Sequence, residues 1–364
     1  MQGIPLDADA AAVQTERIPV YGADNSTATA YAEDRYASHA GYDTLSDEQK
    51  QLYNAMKQAA HTFYVGSADA ESVSYSTGTM DCCVAVDTGS QSLNKEDVVR
   101  AISMFRNDNP VYFFLGSSFL YSTDYDFWTG KSYIDMVYLS CAENCTDGTE
   151  RQAERKVLEN QIVTVETKVK AGETALEKAR IAHDWLVDTI TYAYDANGDP
   201  DNSMTSHSIT GVFDAQYHTA VCEGYAKSFQ LLMNAAGVSN FYIVGLGNGG
   251  GHAWNMAQMD DGYYYYFDAT WDDTAQTSKY FAAGETSFSK NHSPYVYDKS
   301  GWEFLYDLPD VPDADYDLQP GTVYLDGDYT YRLFDKYAAL TAYTGDSESV
   351  TVPEKVNGLP VQVI

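Results

Sequence analysis

Three side chains in this 364-residue chain could together carry out acyl transfer: Cys222, His252 and Asp268. A thiolate attacks a carbonyl, an imidazole takes the thiol proton and later returns it to the leaving group, and a carboxylate fixes the imidazole's tautomer. Cys222 opens the run Val221 to Gly237, in which Tyr225, Ala226, Phe229, Leu232, Met233 and Ala236 recur at helical spacing and Gly237 stops the helix. A cysteine in the first turn of a helix meets unpaired amides and the positive end of the dipole, which favour its thiolate.

His252 lies in Gly249-Gly250-Gly251-His252-Ala253-Trp254-Asn255-Met256, a glycine approach followed by a strand. The turn Asp260-Asp261-Gly262 leads into a second expected strand, Tyr263 to Ala269, which contains Asp268. A two-residue turn would put His252 and Asp268 on opposite faces. A three-residue turn with Gly262 left-handed pairs Trp254 with Asp268 and places both on the face of His252, so that the carboxylate lies diagonal to the imidazole. Asp272 and Asp273 are rival orienters beyond Trp271, where the strand is expected to end.

The elements that must hold these residues follow from patterning. Ser46 with Gln49 reads as a helix start ahead of Leu52, Met56 and Ala59. Strands are expected around Cys82 to Val86, at Val111 to Leu115 and at Ile134 to Leu139, with a helix from Leu93 through Phe105. Arg151 to Asn160 reads as a charged helix, Ile162 to Val169 as an alternating strand, and Thr174 to Thr189 as an amphipathic helix. From Tyr316 onward the pattern is short strands and hairpins with a turn at Asp326-Gly327. The expected organisation is α+β: a flexible leader over 1–40, an N-terminal α+β region over 41–165, a core over 166–312 and a small β module over 313–364.

Composition narrows the partners. Twenty-two Lys and Arg against 53 Asp and Glu give a formal charge of -31, which excludes binding to a phosphate backbone. No apolar run reaches the length that spans a bilayer. Thirty-one tyrosines against 14 phenylalanines suit exposed sheet and polar binding surfaces, and so point to an extracellular protein. Met1 to Pro5 shows no targeting segment, which decides nothing.

Cys82, Cys83, Cys141 and Cys145 fall in one half of the chain, and either bridge across 82/83 to 141/145 or remain free thiols. Asp195, Asn197, Asp199 and Asp201 alternate like calcium ligands, but no glutamate closes the loop. No cofactor or metal is expected.

The motifs VCEGYAKSF, GGHAWNM and YYFDATWDDT occur in the order and local frames of the bacterial transglutaminase-like superfamily, which they resemble. The likeness is best from about Leu176 to Thr274 and reaches weakly to Arg106-Asn107-Asp108-Asn109-Pro110-Val111-Tyr112-Phe113-Phe114. It implies a papain-like core with Cys222, His252 and Asp268 as the catalytic residues. It also implies a peptide or glutamine-type amide substrate, a thioester intermediate, and either hydrolysis, the first choice, or transamidation. Gln216 sits where papain-type enzymes carry an oxyanion-hole glutamine, and Tyr225 and Trp254 are candidate walls of the acyl site. His207 and His218 are expected to be bystanders.

Leu340 to Gly345 followed by Val350 to Val361 resembles the opening of the leucine-rich repeats of bacterial surface proteins. A single repeat cannot bury its own face, so the chain is expected to continue into an array that binds a cell-surface partner. The rival reading is a non-catalytic adhesion module that keeps the fold for binding.

Overall fold

The computed structural model describes residues 20–22, 31–89, 92–294, 308–316, 322–333, 337–345 and 351–363. Most of the expected leader, 1–19 and 23–30, lies outside the described residues. Its remainder is anchored: β1 (Val20–Gly22) runs parallel to β3 (Gly78–Asp87), and Glu33 and Tyr36 are buried in a short 3-10 turn.

The amino-terminal layer is α+β. Helix α1 (Asp47–Val65) starts at the predicted capping box of Ser46 and Gln49, and α2 (Lys95–Asp108) at a second one made by Asn94 and Asp97. Both helices pack on a sheet ordered β1-β3-β5-β4, with β2 (Glu71–Tyr75) on β3, β4 spanning Leu115–Asp126 and β5 Lys131–Cys141. Val111 to Phe114 is not a strand. All four residues are buried in turns after Pro110, and a half-buried strand would have alternated them. Cys82 and Cys83 do face opposite sides of β3, entering separate apolar clusters, and all five cysteines are free thiols.

Helix α3 (Gly148–Lys170) is continuous through the expected strand at Ile162 to Val169. Leu158, Ile162, Val165, Glu166 and Val169 are its buried face, a helical period that the β-branched composition of the segment masked. Helix α4 (Ala175–Thr189) follows, capped by Thr174.

Two short parallel strands, β6 (Thr191–Tyr192) and β7 (Thr219–Ala220), flank the small helix α5 (Ile209–Val212) and lead into α6 (Cys222–Ala235). Beyond α6 come β8 (Asn240–Gly247), β9 (Gly250–Gln258), β10 (Tyr264–Phe267), α7 (Ala269–Thr274), β11 (Phe281–Ala283), α8 (Glu285–Phe288) and β12 (His292–Pro294). Their sheet is ordered β11-β10-β9-β8-β12.

One apolar cluster joins the two layers. It runs from Tyr36 and Leu52 through Phe105 and Phe114 to Phe229, Leu232, Phe267 and Tyr316. Gln230 Nε2 on α6 also donates to Asn107 O near the end of α2 at 2.9 Å. The carboxy-terminal strands β13 (Thr322–Asp326), β14 (Tyr329–Leu333), β15 (Ala338–Tyr343), β16 (Lys355–Val356) and β17 (Leu359–Val363) form a third sheet, with the predicted turn at Gly327. No helix among the described residues is long and apolar enough to cross a membrane.

Candidate active site

Cys222 is the first residue of α6, as its sequence predicts, and is half-buried. Gly224 lets that first turn settle against the preceding loop. A Cβ there would lie 2.7 Å from Ser206 O and 2.8 Å from Ala220 Cβ. Ala226 packs against Tyr242 and Ala253 of β8 and β9, while Asn255 Nδ2 donates to Ala226 O at 2.9 Å, which ties the strand of His252 to the helix of Cys222.

The hairpin takes the odd-numbered turn. Met259 N donates to Tyr263 O at 2.9 Å around Asp260-Asp261-Gly262, and Gly262 is left-handed at φ 83°. Phe267 then pairs with Asn255, which brings Asp268 level with Trp254. Asp268 itself has left the strand. Its Oδ1 accepts from Trp271 N at 3.1 Å and caps α7, so the strand expected through Ala269 ends at Phe267. Its Oδ2 faces back to His252 Nε2 at 2.8 Å. The thiol of Cys222 also acts on this imidazole and favours its charged form. Gly247 makes room on the far side. A Cβ there would stand 3.0 Å from His252 Cδ2 and 2.8 Å from the Trp271 ring, which stacks on His252 at 5.1 Å.

Electrostatics favour an ionised site. Burial opposes the charged imidazole, but Asp268 and then Cys222 outweigh it and raise the His252 pKa to about 10. Burial likewise works against the Asp268 carboxylate, yet His252 and His292 hold its pKa below the usual value. The buried site thus holds a charged imidazole against a charged carboxylate.

Residues 163–269 match the family model of the transglutaminase-like superfamily. That segment is a transglutaminase-like domain. It contains Cys222 and His252 and ends one residue after Asp268. No curated protein matches the sequence significantly. Among solved structures the chain is similar to a TGase, at 14% identity over 51% of this chain and 50% of that one, TM-score 0.29. It is similar to a cysteine-protease candidate from Cytophaga hutchinsonii at 18% identity over 38% and 52%, TM-score 0.23. A third likeness is to the periplasmic domain of TgpA from Pseudomonas aeruginosa, at 12% identity over 40% and 57%, TM-score 0.26. The chain thus covers only about half the length of these structures.

Between the transglutaminase-like domain and the amino-terminal layer lies a cleft of about 600 Å³ that exposes both Cys222 and His252. Three sequence expectations are corrected here. Gln216 sits in an exposed turn held by Asp214 and is not among the residues lining the cleft. Tyr225 and Trp254, each 1% exposed, do not line it either. Tyr225 points its hydroxyl to Asp273 Oδ2 at 2.6 Å and Trp254 joins an apolar cluster, so core packing claims both rings. The rival orienters are also engaged elsewhere, Asp273 with Tyr225 and Asp272 with His183 Nε2 at 3.1 Å.

Other residues near the site take positions that spacing arguments did not give. Tyr192 lines the cleft, and burial together with the charges of Cys222 and Asp268 raises its phenol pKa. His207 lines the cleft too, with its Nδ1 2.7 Å from Glu223 Oε2, while Lys227 Nζ lies 2.7 Å from Oε1. His292 places Nε2 3.1 Å from Asp268 Oδ2. Among the described residues, His252, Asp268 and His292 are the one group whose ligand atoms converge, within 4.8 Å, as a metal site would need. Those atoms already hydrogen-bond to one another.

Proposed function

We propose that the chain is a thiol enzyme acting on peptide or glutamine-type amide carbonyls, with Cys222 as nucleophile, His252 as base and acid, and Asp268 as orienter. The observation that supports this reading is the buried Asp268 to His252 contact at 2.8 Å, with Cys222 near enough to the same imidazole to favour its charged form. Cys222 Sγ bonds to the carbonyl carbon as the carbonyl electron pair moves onto oxygen. The C–N bond then breaks, His252 gives its proton to the departing amine, and a thioester remains. Water, or a second amine, attacks that thioester while His252 accepts its proton, and the C–S bond breaks. Hydrolysis is the preferred outcome over transamidation.

The reading extends to an extracellular location, supported by the acidic, tyrosine-rich composition, and to a division into a core over 166–312 and a β module over 313–364 that resembles the start of a leucine-rich repeat. The test is iodoacetamide labelling at Cys222 from pH 4 to 9 in the wild type and His252→Ala. Fast labelling well below pH 8 that the substitution abolishes is expected. Slow labelling in both would remove the catalytic reading.

A binding module is the second reading. It is favoured by Phe127 and Trp128, 88% and 99% exposed at the turn between β4 and β5. Tight binding of a partner that survives Cys222→Ala, together with an ordinary thiol, would decide for it.

A further inference from the structure

The cleft carries a charge that the rest of the chain does not. Acidic residues outnumber basic ones by 53 to 22 in the sequence, yet Glu223 is the sole carboxylate among the residues lining the cleft. Glu223 is already paired with Lys227 and bonded to His207, each 2.7 Å away. Arg106 stands on the opposite wall, where Glu223 supports its charge only from beyond ion-pair distance. Its two terminal nitrogens donate to Ser117 O and Ser118 O, both at 2.8 Å, and its buried Nε meets no acceptor. No carboxylate lies within ion-pair distance of it among the described residues. Burial lowers the Arg106 pKa to about 10, so the guanidinium keeps its charge at neutral pH. Removing a cation from water without a counter-ion is unfavourable, and carbonyl dipoles offset that cost only in part.

We propose that Arg106 is a specificity residue: it receives the carboxylate of an acidic side chain on the peptide substrate, near the carbonyl presented to Cys222. This deepens the thiol-enzyme reading and rests on it. A guanidinium suits the task because it binds carboxylates in a planar, directional way and stays charged in a half-dry wall. The overall charge of -31 acts against acidic substrates at long range, but salt screens exposed charges over about 8 Å, whereas Arg106 acts at contact.

The two readings can be separated with a pair of thiol reagents of nearly equal size. Iodoacetate is an anion and iodoacetamide is neutral, and both alkylate the same sulfur. The quantity measured is their rate ratio at Cys222, divided by the same ratio for reduced glutathione, in the full chain. The expected ratio in the wild type is about tenfold above glutathione, from the locally raised anion concentration. Arg106→Gln is expected to lower it at least threefold and Arg106→Lys to retain most of it. The imidazolium of His252 also favours the anion, but that contribution is common to all these variants.

Arg106→Gln loses two carbonyl contacts and could misfold, so Ser103→Asp supplies an independent route. Ser103 lines the same cleft one turn before Arg106 on α2, and a carboxylate there would pair with the guanidinium and lower the ratio in the same way. Rapid labelling by both reagents with a ratio that neither substitution changes would overturn the role of Arg106 and leave the enzyme reading standing. Labelling of Cys222 no faster than glutathione by either reagent would overturn the enzyme reading itself, and the specificity role with it.

Discussion

His292 donates from Nε2 to Asp268 Oδ2 at 3.1 Å, the same oxygen that His252 reaches at 2.8 Å. Two imidazoles therefore converge on one buried carboxylate. His292 is fixed in turn by Asn291 Oδ1 on its Nδ1 and by the Phe288 ring stacked at 3.9 Å. It orients the carboxylate that orients the base. Replacing it with Phe keeps the stack and removes the donor. Cys222 alkylation is expected to slow by about tenfold, the equivalent of one lost hydrogen bond to a charged group. Because His292 helps to depress the Asp268 pKa, the acid limb of the alkylation profile is also expected to move to higher pH. A loss of packing alone would slow labelling without moving that limb.

Asp268 serves two partners with two oxygens, and one substitution separates them. Asn at 268 keeps an oxygen for Trp271 N but no longer offers a carboxylate to His252. Thermal stability is expected to change little in Asp268→Asn, while Ala at the same position gives up the cap at about 1 kcal/mol. Turnover of any amide substrate is expected to fall by about a thousandfold or more in both. Equal losses of stability in the two variants would contradict the division of labour.

The elevated His252 pKa has a signed consequence for stability. A histidine held protonated in the folded state contributes fully below its ordinary value near 6.5, and that contribution disappears as pH rises through about 10. The difference in unfolding free energy between the wild type and His252→Ala is therefore expected to narrow steadily between these limits, as measured by urea denaturation at pH 6, 8 and 10. A gap that stays constant with pH would mean that His252 is neutral in the folded protein.

Gly224 places Cys222, the proposed nucleophile, by having no side chain. In Gly224→Ala the new methyl meets Ser206 O at 2.7 Å, a backbone atom that cannot swing away. A loss of about 1 to 3 kcal/mol is expected on denaturation, as for other overpacked sites. Cys222 labelling should slow too, because the helix start must shift. A stable, fully reactive variant would show that the contact is relieved elsewhere.

Residues that are close in sequence were legible; those joined only by the fold were not. The start of α6 at Cys222 and the odd-numbered turn at Gly262 follow from local helix period and turn chemistry, and both are found where the pattern puts them. Ile162 to Val169 failed because β-branched residues in a half-buried helix mimic strand alternation. His292 sits 24 residues beyond Asp268 on a short edge strand, so no spacing rule connects the two. Arg106 and Glu223 come to one cleft from different layers, and only the packing of α2 against α6 brings them together.

That shared packing also limits what the cleft can admit. Its two walls are rooted in one apolar core that runs from Leu52 through Phe105 to Leu232. Moving one wall against the other would therefore disturb buried side chains on both sides. If the proposed function holds, a substrate must fit a cleft of about 600 Å³ without prying that core apart.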